Sequence, residues 1–89
     1  MCKKFYVYIL ETENNKLYCG YTDDVDKRFQ KHLEGTASKF TRANRPSKIV
    51  YIREFDTKNE AMKEEYRIKH LSRNDKLKII TLHKKSLTT

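Results

Sequence analysis

Tryptophan is absent from this 89-residue chain, glycine occurs twice, proline once and cysteine twice. With so little Gly and Pro, long structureless segments and flexible linkers have no compositional support. Cys2 and Cys19 are too few for a disulfide scaffold, and their spacing fits no zinc template. Free thiols in a reducing compartment are the reading they support. No apolar run approaches the roughly 18 residues that would suggest a bilayer span. Met1-Cys2-Lys3-Lys4 leads into a strand-like segment without the apolar stretch of a signal peptide, so a cytoplasmic chain that avoids membranes is expected. There is no internal repeat and no low-complexity tract. Hydrophobic residues make up 37% of the chain, enough for one modest core, and a single domain over 1–89 is expected, with its core at about 5–80 and a short C-terminal tail.

Basic charge is abundant. The net charge is +8, and it is concentrated. Residues 27–48 hold seven Lys or Arg against one acid, Glu34, and residues 57–89 hold nine against four. A basic surface on a small domain points first to nucleic acid and second to anionic membranes or acidic proteins. Lys39, Arg42, Arg45 and Lys48 lie in a polar stretch, "TASKFTRANRPSK" (36–48), read as a loop or short helix able to lie along a phosphate backbone; Lys69 is a further candidate contact.

Hydrophobic patterning orders the rest. "FYVYIL" (5–10) and "KLYCGYT" (16–22) read as strands of a hairpin across "ETENN" (11–15). A turn centred near Glu13 sets Tyr8 opposite Tyr18 and Gly20 opposite Tyr6. Asp23 and Asp24 supply a helix start, Val25, Phe29 and Leu33 a buried stripe, and Gly35 a stop. "IVYIREF" (49–55) is a third strand. Thr57-Lys58-Asn59-Glu60 matches a capping box opening a second long helix, and Ser72-Arg73-Asn74-Asp75 starts a third. The order predicts an α+β fold: a small three-stranded, mainly antiparallel sheet flanked by helices.

Some residues are not explained by propensity. At 100° per residue on the helix after Thr57, Glu65 falls inside the apolar arc of Ala61 and Ile68, and Glu64 is expected to point away. An inward carboxylate needs a partner. Lys69, one turn on, offers an ion pair; a hard divalent cation, which needs only one or two protein carboxylates, is the other candidate. On the first helix Arg28 and His32 border one side of the Val25 stripe. An Arg there can clamp a phosphate and a His can accept a proton near neutral pH, against a plain solvated Arg and half-buried His. Of the six tyrosines, Tyr8 and Tyr18 stand out because their proposed pairing brings two hydroxyls to one sheet face.

Tyr6-Val7-Tyr8, Tyr18-Cys19-Gly20, Arg28, His32 and Glu65, in that order over residues 5 to 80, resemble the GIY-YIG nuclease family, most closely its small standalone bacterial single-domain members. Tyr6 stands where the first tripeptide has glycine, Cys19 where the second has isoleucine, and Tyr21 where many relatives have lysine; Asn74 is the candidate for a further asparagine found in some relatives. The resemblance implies an endonuclease that hydrolyses DNA phosphodiester bonds with one divalent cation, Mg²⁺ or Mn²⁺. DNA repair or processing is the implied setting, with branched or damaged DNA among the candidate substrates and low sequence specificity. It implies Tyr8 as the group taking the water's proton with help from His32. Tyr18 would hold the phosphate or water, Arg28 would stabilise the transition state, and Glu65 would be the metal ligand. As a base, Tyr8 would need neighbouring positive charge, from Arg28 and the cation, to lower its pKa from near 10. The alternative is a non-catalytic nucleic-acid-binding module on the same fold; a basic accessory protein for an acidic partner is a third reading.

Overall fold

The structure, a computed structural model, describes residues 4–87, with side chains to residue 83; Cys2 lies outside the described residues. Strands β1 (Phe5–Thr12), β2 (Leu17–Thr22) and β3 (Pro46–Phe55) form one antiparallel sheet in the order β2-β1-β3. Helices α1 (Val25–Glu34) and α2 (Lys39–Ala43) join β2 to β3, and α3 (Lys58–Lys69) and α4 (Arg73–Leu87) follow. α4 runs to Leu87, where a short tail was expected. No described helix is long and apolar enough to cross a membrane.

The period of two along β1 gives the sheet two different faces. Val7 and Ile9 face α3 and α4, where they join Cys19, Tyr51, Ala61, Ile68 and Ile80 in the buried core. Tyr8 and Leu10 point the other way, beside Gly20 and Tyr18 of β2. The register differs from the sequence expectation: Tyr8 pairs with Gly20, Tyr18 with Leu10, and Tyr6 with Thr22. The cause is the turn. Thr12 and Lys16 close it, through Thr12 N–H donating to Lys16 O at 2.9 Å, and Asn15 takes the left-handed conformation at φ 63°. A three-residue loop ending in such a residue is a standard hairpin solution, and Asn tolerates it. It centres the hairpin one residue later than Glu13. Partners therefore shift by two, and a shift of two leaves every side chain on its own face.

β3 begins at Pro46, three residues before the expected start, and α2 occupies the middle of the expected loop. Capping follows the sequence closely. Asp24 accepts from Lys27 N–H at the start of α1, and Gly35 closes it at φ 79°. Thr57 Oγ1 accepts from Glu60 N–H at 3.2 Å, the expected N-cap, and the Glu60 carboxylate accepts from the Thr57 hydroxyl at 3.0 Å, where a full capping box has it accept from the Thr57 backbone N–H. The stripe on α1 differs from expectation. Val25, Phe29 and Leu33 are only partly covered, and the residue of α1 that is fully buried is His32.

Candidate active site

Tyr8 is 3% exposed and His32 1%, and the phenol oxygen lies 2.7 Å from His32 Nε2. The other ring nitrogen, Nδ1, lies 2.7 Å from Thr41 Oγ1, which in turn is 2.9 Å from Ser38 Oγ. Four side chains from β1, α1 and the start of α2 thus form one continuous hydrogen-bonded chain through the protein. Tyr18 packs against the cluster, its ring 5.1 Å from His32 and 6.5 Å from Tyr8, and Phe40 of α2 stacks on it at 5.7 Å. The two phenols share a face as expected, though not as direct partners. Gly20 makes room for this: a Cβ there would sit 2.6 Å from the Tyr8 oxygen and 2.9 Å from Cζ. A side chain at that position would displace the phenol from the imidazole.

Arg28 and Glu65 meet elsewhere. Both line a cavity of about 520 Å³ together with Phe5, Tyr21, Thr22, Asp23 and Lys58. Their charges reach the Tyr8 phenol, Arg28 acting to lower its pKa and Glu65 to raise it. The buried cluster and the cavity are therefore neighbours in electrostatic terms, while Tyr8, Tyr18 and His32 are not among the cavity's lining residues. Arg28 lowers the Tyr8 pKa as expected but is outweighed. Burial dominates, with a second push from Tyr18, and the pKa lies well above its ordinary value of 10. His32 moves the opposite way, down to about 4, from burial first and the Arg28 charge second. At neutral pH the pair is a neutral phenol on a neutral imidazole.

The two acids of α3 also need correction. Glu64 does not point away. It is buried and held by Arg67 at 2.6 and 3.0 Å and by Arg53 of β3 at 3.0 Å, and the Arg67 hydrogen bonds hold its pKa below the usual carboxylate range. The reason is geometric: Glu64 and Glu65 flank the Ala61–Ile68 stripe on opposite sides. One turns toward β3 and its arginine, the other toward β2, where Glu65 O accepts from the Cys19 thiol at 4.0 Å. The Glu65 carboxylate is 18% exposed and 3.3 Å from Lys69, so Lys69 serves as its ion-pair partner.

The proposed backbone contacts are dispersed along one stretch. Lys39 and Arg42 project from α2 into solvent, Arg45 lies 3.6 Å from Glu13, and Lys48 is exposed on β3 opposite Glu11. Among the described residues no group of three or more His, Cys, Asp or Glu converges. A cation at Glu65 would thus have one carboxylate, with Asp23 on the same cavity and room for waters, the sparse oxygen donor set that magnesium accepts. Reading the sequence missed Thr41, Ser38 and Lys58. The Ser38-x-x-Thr41 spacing of a helix cap was the available signal for the first two, since it directs the Thr41 side chain back toward the preceding helix.

The profile of the GIY-YIG catalytic domain matches residues 4–78. A UPF0213 protein of Staphylococcus saprophyticus is 47% identical over 78 residues, covering 88% of this chain and 95% of its own. Another, of Oceanobacillus iheyensis, is 46% identical over 80 residues, covering 90% and 93%. The solution NMR structure of a UPF0213 protein from Bacillus halodurans superimposes with a TM-score of 0.59 at 46% identity, over 89% of this chain and 84% of that one. With that match over most of its length and these relatives, the chain belongs to the GIY-YIG nuclease family.

Proposed function

We propose that the chain is a single-domain endonuclease that hydrolyses DNA phosphodiester bonds, with Mg²⁺ or Mn²⁺ held at Glu65. The observation that carries this reading is the cavity shared by Arg28 and Glu65, with a buried phenol–imidazole pair within reach of both charges. A cytoplasmic setting suits Cys19, a buried thiol that burial pushes up to about 12 and that is therefore inert.

The scissile phosphate enters the cavity and is clamped by Arg28, whose fixed fork of donors gains most on the pentacovalent arrangement. Lys58 adds positive charge at the same cavity. A divalent cation supplies Lewis-acid stabilisation of charge on the phosphate and leaving oxygen; Glu65, exchanging Lys69 for it, would be its protein ligand. The phenol works as a relay. Tyr8 is too weak an acid to wait as phenolate, so it accepts the attacking water's proton as its own passes to His32 Nε2. The water oxygen bonds to phosphorus, the bond to the leaving deoxyribose oxygen breaks with its electron pair and that oxygen takes a proton from solvent, and His32 ends as the cation, its charge offset by the phosphate. Tyr18 borders this path and orients the phosphate or water. Lys39, Arg42, Arg45 and Lys48 bind the backbone away from the cut. That leaves little base readout and hence low sequence specificity.

The Lys69–Glu65 pair and the protonated state of Tyr8 favour one other reading, a binding module that has kept the fold. Plasmid and branched DNA incubated with Mg²⁺ or Mn²⁺ separate the two. Wild type is expected to nick or cut; Arg28→Ala should lose about 10²–10³-fold in rate, the usual value of one transition-state donor. Glu65→Ala should lose cleavage while retaining DNA binding. Wild type no more active than Glu65→Ala on every substrate would leave only the binding module.

A further inference from the structure

A phenol can pass its proton to an imidazole only if the receiving nitrogen is bare, and the far side of the ring decides that. We propose that Thr41 is a positioning residue for the cleavage reaction: its oxygen accepts from the His32 Nδ1–H, holds the ring in that tautomer and leaves Nε2 open to Tyr8. The inference rests on the nuclease reading above.

The hydrogen-bond partners allow two directions, which differ in the proton they leave over. Thr41 is 2% exposed and its Oγ1 is 2.7 Å from Nδ1, with Ser38 Oγ at 2.9 Å and Ser38 O at 3.5 Å on its other side. In one direction Tyr8 donates to Nε2, Nδ1–H donates to Thr41, and the Thr41 hydroxyl donates to Ser38. Every proton from Tyr8 to Thr41 then has an acceptor, and the one left over belongs to Ser38, which is only partly buried. In the reverse direction Thr41 donates to Nδ1 and Nε2–H donates to Tyr8. The Tyr8 proton is then left without an acceptor among the described residues, inside a side chain that is 3% exposed. Buried polar hydrogens rarely go unpaired, so in the protein without substrate the first direction, which leaves over only the proton of the less buried Ser38, is the better satisfied. Ser38 anchors it: as the N-cap of α2 it accepts the Thr41 backbone N–H at 3.1 Å, which fixes where the Thr41 side chain stands. When the phenolic O–H breaks and the Nε2–H bond forms, the ring becomes a cation whose Nδ1–H keeps its acceptor.

The test uses the full chain labelled with ¹⁵N and the variants Thr41→Val and Thr41→Ser. Ring ¹⁵N shifts of wild type are expected to show neutral His32 protonated at Nδ1, and this reading requires no cleavage activity. Thr41→Val should lose that signature and lower kcat by about 10- to 100-fold with KM nearly unchanged, part of the 10²–10⁴ that acid–base catalysis contributes. Thr41→Ser should restore both. A wild-type ring protonated at Nε2 overturns the assignment even where Thr41→Val fails to fold, as does Thr41→Val cleaving at the wild-type rate with the same shifts. If wild type shows the Nδ1–H tautomer, Thr41→Val loses it and neither protein cuts DNA, the tautomer assignment stands and the nuclease reading falls.

Discussion

The glycine of the second tripeptide has a steric reason. Its missing Cβ is the space in which the Tyr8 hydroxyl turns toward His32. Gly20→Ala is expected to cost about 1–3 kcal/mol by chemical denaturation, the usual cost of overpacking, and to slow cleavage by moving the phenol. His32 makes a second, independent prediction. Its pKa in the folded chain is about 4 against an ordinary 6.5, so the unfolded chain binds a proton that the folded one refuses. The contribution of this group is complete above pH 6.5 and is lost as pH falls from 6.5 toward 4. Urea titrations at pH 7 and pH 4.5 should differ by about 2–3 kcal/mol, and His32→Gln should remove most of that difference. Glu64, whose pKa is lowered, loses its share mainly below that window.

At the scale of elements, each helix brings one part of the chemistry, and its cap sets where that part stands. α3 delivers Glu65 and Lys58 to the cavity from a start fixed by Thr57. Thr57→Ala should destabilise the fold by about 1 kcal/mol in thermal or urea unfolding, as N-cap removal does elsewhere, while leaving the Tyr8–His32 pair in place. The five-residue α2 does two jobs. Thr41 faces inward to the imidazole, and Lys39 and Arg42 on either side of it face solvent. The starts of α1, α3 and α4 were legible because a cap is local, a side-chain oxygen and an N–H three residues on, whereas the Ser38 cap of α2 was passed over. The hairpin register was less legible. Whether the turn centres on Glu13 or Asn14 depends on one residue, Asn15, adopting positive φ.

For the whole molecule, the excess of +8 is densest along residues 27–48, from α1 into β3. If Lys39, Arg42 and Arg45 each neutralise one phosphate, duplex binding should weaken roughly 40-fold between 50 and 200 mM salt, and the triple alanine variant should flatten that slope. Fluorescence anisotropy across a salt series measures both. Glu65→Ala should bind with a similar slope, because its effect lies at the cut and not along the backbone.

The order of strands and long helices and the caps of α1, α3 and α4 were decided by the sequence itself, because period and capping act over a few residues. Three things were decided only in three dimensions. The sheet brought Arg53 across to bury Glu64, which local helix geometry had assigned to solvent. Burial between β1, α1 and α2, with Tyr18 second, raised the Tyr8 pKa against the lowering effect of Arg28. The return of the chain after Gly35 set Thr41 against a histidine nine residues earlier. Desolvation and long-range hydrogen bonding depend on what surrounds a group on every side, and only the packed fold supplies those surroundings.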